Sequence, residues 1–239
     1  VSEALRDSCN YYFYEVGYRL ATNNYSTAYN DSLGIEKLQK YASLFGLNER
    51  TGIEIEEAAP QIANEFPVMA AIGQSNNNYT TVQLARYVTA VANEGTVYQY
   101  TLLNRLEDSD GNVLQTFEPQ VRNQIDVLDT EEWNAIHSGM RMVVENTKEF
   151  DGFPIEAAGK TGTAQQNLKR PNHALFVGYA PYDDPEISIA TRIAYGYTSH
   201  NAAKLARNVF AYYFNVENED ELLNGQAANG NSSSNEISD

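Results

Sequence analysis

The chain has 239 residues, 42% of them apolar, and a formal net charge of −16, with a sequence pI near 4.5. That length suits one large domain or two small ones, the apolar share supplies a core, and the acidity excludes the clustered Lys and Arg of a nucleic-acid surface while naming no partner of its own. The lone Cys9 excludes an internal disulfide and any cysteine-spaced framework, and His137, His173 and His200 stand too far apart for a local ligand motif, so no metal and no cofactor are expected.

Residues 1–7 are neither a signal peptide nor an initiating segment, and the chain reads as cut from something longer. No apolar run approaches the roughly 20 residues that cross a bilayer. Over 11–20, Phe13, Val16, Gly17 and Leu20 fall on one stripe at helical period, which predicts a helix. Residues 23–31 read as a polar loop. A second helix is predicted over 34–45, with Leu38, Tyr41, Ala42 and Phe45 inward and Gly46 just past its end. Alternation over 51–56 predicts a short strand, and 57–78 read as mostly irregular, with 66–72 apolar enough to be buried.

Thr80 and Gln83 form a capping-box pattern that opens a helix over 80–94. Its apolar stripe is Leu84, Tyr87, Val88, Val91 and Ala92, and Gly95 ends it. Residues 102–117 predict a hairpin turning at Asp110-Gly111-Asn112. Asp129 and Glu132 cap a helix that turns Trp133, Ile136, Met140, Val143 and Val144 one way. All these stripes read as core. Strands follow over 155–165, 172–180 and 186–195, joined by links short enough to make them antiparallel. Ser199 caps a last helix with Ala202, Leu205, Val209, Phe210 and Tyr213 on its apolar face. Residues 1–214 therefore read as one domain of mixed α/β class, helices covering an antiparallel sheet. Residues 215–239, without Lys or Arg, read as an acidic, polar, disordered tail.

Two short motifs carry chemistry. Lys160-Thr161-Gly162-Thr163-Ala164-Gln165 puts a cation, two hydroxyls and a bare backbone at one spot on a strand. Those groups suit a carboxylate-bearing peptide lying along the strand. Gly159-Lys160-Thr161 also closes a phosphate-loop pattern, but that pattern needs a glycine where Pro154 stands and a helix where a strand continues. Ser8-Cys9-Asn10 offers a hydroxyl and an amide of the kind that relays a proton and grips a peptide bond; alternatively, Ser8 or Asn10 caps the helix that begins near Tyr11. Lys-Thr-Gly belongs, with a Ser-x-x-Lys nucleophile, to penicillin-binding proteins and class A β-lactamases.

On Ser8-Cys9-Asn10-Tyr11, Lys160 to Gln165, Ile72-Gly73-Gln74 and Gly139-Met140, residues 4–214 resemble the C-terminal part of the transpeptidase domain of a class B penicillin-binding protein, one like penicillin-binding protein 2. The resemblance implies a penicillin-binding/serine β-lactamase-like fold with the N-terminal part of the domain missing. It implies a peptidoglycan D,D-transpeptidase that attacks the D-Ala-D-Ala end of a stem peptide, forms a serine acyl-enzyme and passes the acyl group to an amine, with β-lactams acylating the same serine. By motif, Ser8 joins the proton relay, Asn10 binds the acyl side, and Lys160 supplies positive potential. Thr161 and Thr163 bind the carboxylate, Gly162 clears the way for the substrate backbone, and the Thr163 N–H forms half of the oxyanion hole.

One motif is absent: stepping back three residues from each of Lys37, Lys40, Lys148, Lys160, Lys169 and Lys204 never meets a serine. The nucleophile is expected upstream of Val1, and the chain alone is expected to be inactive. The parent is expected at the extracytoplasmic face of the bacterial membrane, anchored by an N-terminal segment and working in a cell-wall synthesis complex. Two alternatives within reach are a serine β-lactamase or D,D-carboxypeptidase, and a non-catalytic penicillin-recognising sensor or scaffold domain.

Overall fold

In a computed structural model, residues 1–23, 26–166, 168–218 and 222 are described. Most of the predicted tail, 215–239, lies outside them. Helix α1 (Ser2–Arg6) is followed closely by α2 (Asn10–Leu20). The segment predicted as a polar loop instead holds β1 (Thr22–Asn23) and β2 (Ser26–Tyr29), paired antiparallel. Helix α3 (Asp31–Leu44) begins one turn earlier than the apolar pattern suggests, because the Asn30 side chain accepts from Leu33 N–H at 3.2 Å and caps it. Its end is as predicted: Gly46 takes φ +74°, a conformation open to glycine, directly against Arg86.

No strand forms over 51–56. Thr51 donates both its N–H (2.8 Å) and its hydroxyl (3.0 Å) to the Glu57 carboxylate, so side-chain tethers rather than a ladder hold the segment. A short helix α4 (Pro67–Ala70) buries Pro67 under α2, while Phe66 and Met69 remain exposed. Helix α5 (Thr81–Ala92) and helix α6 (Thr130–Glu145) both open with complete capping boxes, from Thr80–Gln83 and Asp129–Glu132. Between them β3 (Thr96–Gln99) pairs with β6 (Gln120–Gln124), framing the predicted hairpin of β4 (Arg105–Glu107) and β5 (Val113–Thr116).

After a 3-10 turn at Lys148–Phe150 come β7 (Ala158–Ala164), β8 (His173–Ala180) and β9 (Ile187–Ile193), an antiparallel sheet in the order β7-β8-β9. Helix α7 (Ser199–Tyr213) closes the fold; its cap is Thr198 rather than Ser199, the Thr198 hydroxyl accepting from His200 N–H at 3.4 Å. The two faces of the sheet bury different helices, as the period of two along a strand requires. Ala174, Phe176 and Ala180 pack with Ala202, Ala203, Ala206 and Phe210 of α7. Ala158 and Tyr179 pack on the other side with Val88 and Val91 of α5 and Met140 of α6. Trp133, Ala90, Val97 and Ile125 join α5 and α6 to the β3–β6 pair.

Three predicted stripes hold only in part. On α7 Ala202 and Phe210 are buried as predicted, joined by Ala203, Ala206 and Ala211, while Leu205, Val209 and Tyr213 face outward. Val16 of α2 and Tyr41 of α3 are also exposed. Past α7, the Val216 N–H still bonds Ala211 O at 3.1 Å and Glu217 pairs with Arg207, so the chain stays on the helix to that point.

Candidate active site

Strand β7 presents the Lys160 motif on an edge with no strand partner among the described residues. The register pairs Gly159 with Gly178, Lys160 with Val177, Thr161 with Phe176 and Thr163 with Ala174. Residues paired across a ladder share a face, so Lys160 points to the α5–α6 side with Ala158, whereas Thr161 and Thr163 point to the α7 side. Gly159 has a packing reason: a Cβ there would stand 2.3 Å from Phe176 Cζ, because the buried Phe176 ring lies over the Gly159–Gly178 pair. Gly162 differs, since a Cβ there would meet only Leu175 Cβ at 3.4 Å. Its bareness is not demanded by the fold.

Ser8 comes to this strand from the other end of the sequence. It sits just past the end of α1 with φ +48°, its N–H bonding back to Leu5 O at 3.2 Å and the Cys9 N–H to Ala4 O at 2.9 Å. A positive φ on serine is a strained conformation of the kind that concentrates at functional sites. The Lys160 Nζ donates to Ser8 Oγ across 152 residues of sequence, and also to Thr161 O at 3.1 Å. Burial pushes the Lys160 ammonium below the ordinary lysine range, which eases loss of its proton.

The cap reading of Ser8 and Asn10 is not what forms. The N-cap position of α2 is Cys9, without a side-chain cap bond, and Asn10 is the first helical residue, exposed beside Tyr11. Ser8 and Lys160 are in contact, Thr161 to Thr163 continue the same strand, and Asn10 opens the helix that follows Ser8. Among the described residues, no group of three or more His, Cys, Asp or Glu is placed to hold a metal ion.

Sequence reasoning missed a second group beside this strand. His173 begins β8 opposite Ala164, one residue beyond Thr163, and is in ring contact with Tyr195 at 4.9 Å. The antiparallel register was the signal: once 155–165 and 172–180 are paired around a short link, His173 must fall at the same end as Thr163.

A family model described as the penicillin binding protein transpeptidase domain matches residues 1–211. The peptidoglycan D,D-transpeptidase MrdA of Haemophilus influenzae is 31% identical over 251 residues, covering 90% of this chain and 36% of that protein. Penicillin-binding protein 2B of Streptococcus pneumoniae is 25% identical, covering 88% of this chain and 35% of its own length. The solved structure of penicillin-binding protein 2B from Streptococcus pneumoniae R6 superposes with a TM-score of 0.79 at 24% identity, covering 91% of this chain and 39% of that one. Penicillin-binding protein A from M. tuberculosis, as its imipenem acyl-enzyme complex, gives 0.74 at 23% identity, with 89% and 47% covered. The chain thus spans about a third of the length of the curated relatives it matches.

Proposed function

This chain belongs to the penicillin-binding protein transpeptidase family, and from that premise we propose that it is the part of a peptidoglycan D,D-transpeptidase that carries the proton relay and the carboxylate-binding strand. The observation that carries this reading is the Lys160–Ser8 hydrogen bond at the open edge of β7. A lysine whose charge is disfavoured by burial, bonded to a hydroxyl, is a relay able to hand a proton to a leaving nitrogen.

In the reaction, a serine oxygen attacks the carbonyl carbon of the D-Ala-D-Ala peptide bond. The C–N bond breaks, the terminal D-Ala leaves with the relayed proton, and an ester to the enzyme remains. An amine of a second stem peptide then displaces the serine and forms the cross-link. Ser8 and Lys160 serve the proton transfers. Asn10 binds the acyl side, the Thr161 and Thr163 hydroxyls bind the terminal carboxylate, and the Thr163 N–H donates to the oxyanion; losing such a donor costs about 100- to 1,000-fold in rate. The attacking serine belongs to a Ser-x-x-Lys motif, which these 239 residues do not contain. No cofactor enters. β-Lactams compete as mimics of D-Ala-D-Ala, and the reaction belongs at the extracytoplasmic face of a bacterial membrane, within a cell-wall synthesis complex.

Fluorescent penicillin and intact-mass measurement test the assignment. A protein joining this chain to its Ser-x-x-Lys segment should gain one penicillin, mapped to that serine, and the 239-residue chain alone should gain none. An adduct on Ser8 would show that the nucleophile is misassigned.

A further inference from the structure

The turn between β9 and α7, residues 194–198, is tied to the start of β8 by the His173 imidazole at its Tyr195 end and by a backbone bond from Tyr197 to Asn172. The His173 ring is buried, and its Nδ1 accepts the Tyr195 backbone N–H at 3.1 Å. That nitrogen therefore carries no proton. The proton sits on Nε2, which donates to Gln166 Oε1 at 2.8 Å. A single neutral tautomer satisfies both bonds.

The rest of the turn is built around that contact. Arg170 Nη1 donates to the Tyr195 hydroxyl at 2.7 Å, and its guanidinium carbon lies 5.1 Å from the ring centre. The Tyr197 N–H bonds Asn172 O at 3.1 Å, and Tyr195 and Tyr197 hold φ of +54° and +67°. Two such residues cost energy that surrounding contacts must offset. Gly196 lies on Ala174, to whose Cβ an added Cβ would approach within 2.9 Å, and Ala174 is the ladder partner of Thr163. The turn therefore lies over β9 and β8, one strand away from Thr163 and on the face that Thr163 shares.

We propose that His173 is a positioning residue for the acyl transfer: as the neutral tautomer it fixes the Tyr195 end of residues 194–198 on the face of the sheet that Thr163 shares, and its protonation breaks that tie. The inference rests on the reading of Thr163 as a substrate-binding residue. Protonation turns Nδ1 from acceptor into donor, and two donors then face one another at Tyr195. The charged and titratable groups around the ring are Arg192 from β9, whose Nη2 lies 3.4 Å from both ring nitrogens, Arg170 from the β7–β8 turn, and the Tyr195 phenol. Burial and the Arg192 charge both hold the imidazole below its ordinary range, so it is neutral at neutral pH.

The first test uses the 239-residue chain and needs no activity. Ring nitrogen shifts at about pH 7.5 should show a bare Nδ1 and a protonated Nε2, and the Tyr195 amide should lose exchange protection as His173 titrates in acid. The opposite tautomer, or a Tyr195 amide indifferent to that titration, overturns the proposal. The second test uses the protein that also carries Ser-x-x-Lys. Between about pH 7.5 and pH 5, penicillin acylation by the wild type should fall about fivefold more than by His173→Asn, whose side-chain oxygen keeps the acceptor without titrating; fivefold is about one hydrogen bond. The loss should lie in ligand binding rather than in the acylation step. An equal acid loss in both proteins overturns the proposal, while sound ring chemistry with no acylation anywhere would reject the transpeptidase reading instead.

Discussion

Gly159 and Gly162 flank Lys160 and Thr161 on the same strand yet should respond oppositely to a methyl group. Alanine at 159 would place Cβ 2.3 Å from Phe176 Cζ, 2.8 Å from Phe176 Cε2 and 2.8 Å from Val177 O. The Phe176 ring is fully buried and stacked on Phe150 at a centroid distance of 5.7 Å, so it has nowhere to go. Overpacking of this kind costs about 1–3 kcal/mol, which in a domain of this size lowers Tm by about 2–4 °C per kcal/mol. Alanine at 162 meets only Leu175 Cβ at 3.4 Å, so its effect on stability should stay within about 0.5 kcal/mol. Its Cβ would stand on the face of β7 that Lys160 shares, where the substrate backbone is proposed to lie along the strand. Urea unfolding of the chain should rank Gly159→Ala well below wild type and Gly162→Ala beside it. Penicillin acylation of the complete domain should fall about tenfold for Gly162→Ala, the equivalent of a steric conflict in the same 1–3 kcal/mol range. Equal destabilisation by the two changes, or unimpaired acylation by Gly162→Ala, would refute the division of one glycine for packing and one for clearance.

Thr80→Ala and Asp129→Ala each remove the side chain that caps a helix packed on the core, and each should cost about 1 kcal/mol in urea unfolding. Lys160→Met should leave stability unchanged or slightly higher, because burial disfavours its charge, while acylation of the complete domain falls about 100-fold or more, as expected for a lost proton-transfer group. Stability should also depend on pH through His173. Its folded pKa lies below the unfolded value of about 6.5, so its contribution is complete above that pH and is lost as the pH falls toward the folded value; His173→Asn should flatten that slope in acid unfolding curves.

The elements legible in the sequence are those specified by neighbours along the chain. Both capping boxes formed at the predicted residues because a cap is settled within four positions. The three strands around Lys160 were legible because alternation and short links leave antiparallel pairing as the simple solution. The alternation at 51–56 misled because Glu54 and Glu57 are side-chain acceptors there: Glu57 holds Thr51, and Glu54 accepts the Leu102 N–H at 2.8 Å and the Thr101 hydroxyl. On α7 the eye follows Leu205, Val209 and Tyr213, but Ala202, Ala203 and Ala206 let the helix lie close to the sheet. Small residues carry weak hydropathy and decisive geometry.

The meeting of Ser8 with Lys160 was not in either motif; it is a property of the helix between them. Gly139 of α6 carries no side chain, and a Cβ there would come within 2.8 Å of Leu5 Cδ1 and 2.9 Å of Ser2 Cα, so α1 lies directly on α6. The Ser2 hydroxyl fastens the same contact by donating to Ala135 O at 2.7 Å. The neighbouring face of α6 buries Met140 with Ala158 at the start of β7, and Arg141 reaches Ala157 O at 3.4 Å. Helix α6 thus carries the serine on one side and the lysine strand on the other. One methyl at Gly139 would press on Leu5 and Ser2 at 2.8–2.9 Å and push α1, with Ser8 at its end, off α6, although the residue touches neither Ser8 nor Lys160. Gly139 thus holds the geometry in which Ser8 meets Lys160, the contact on which the proposed relay rests.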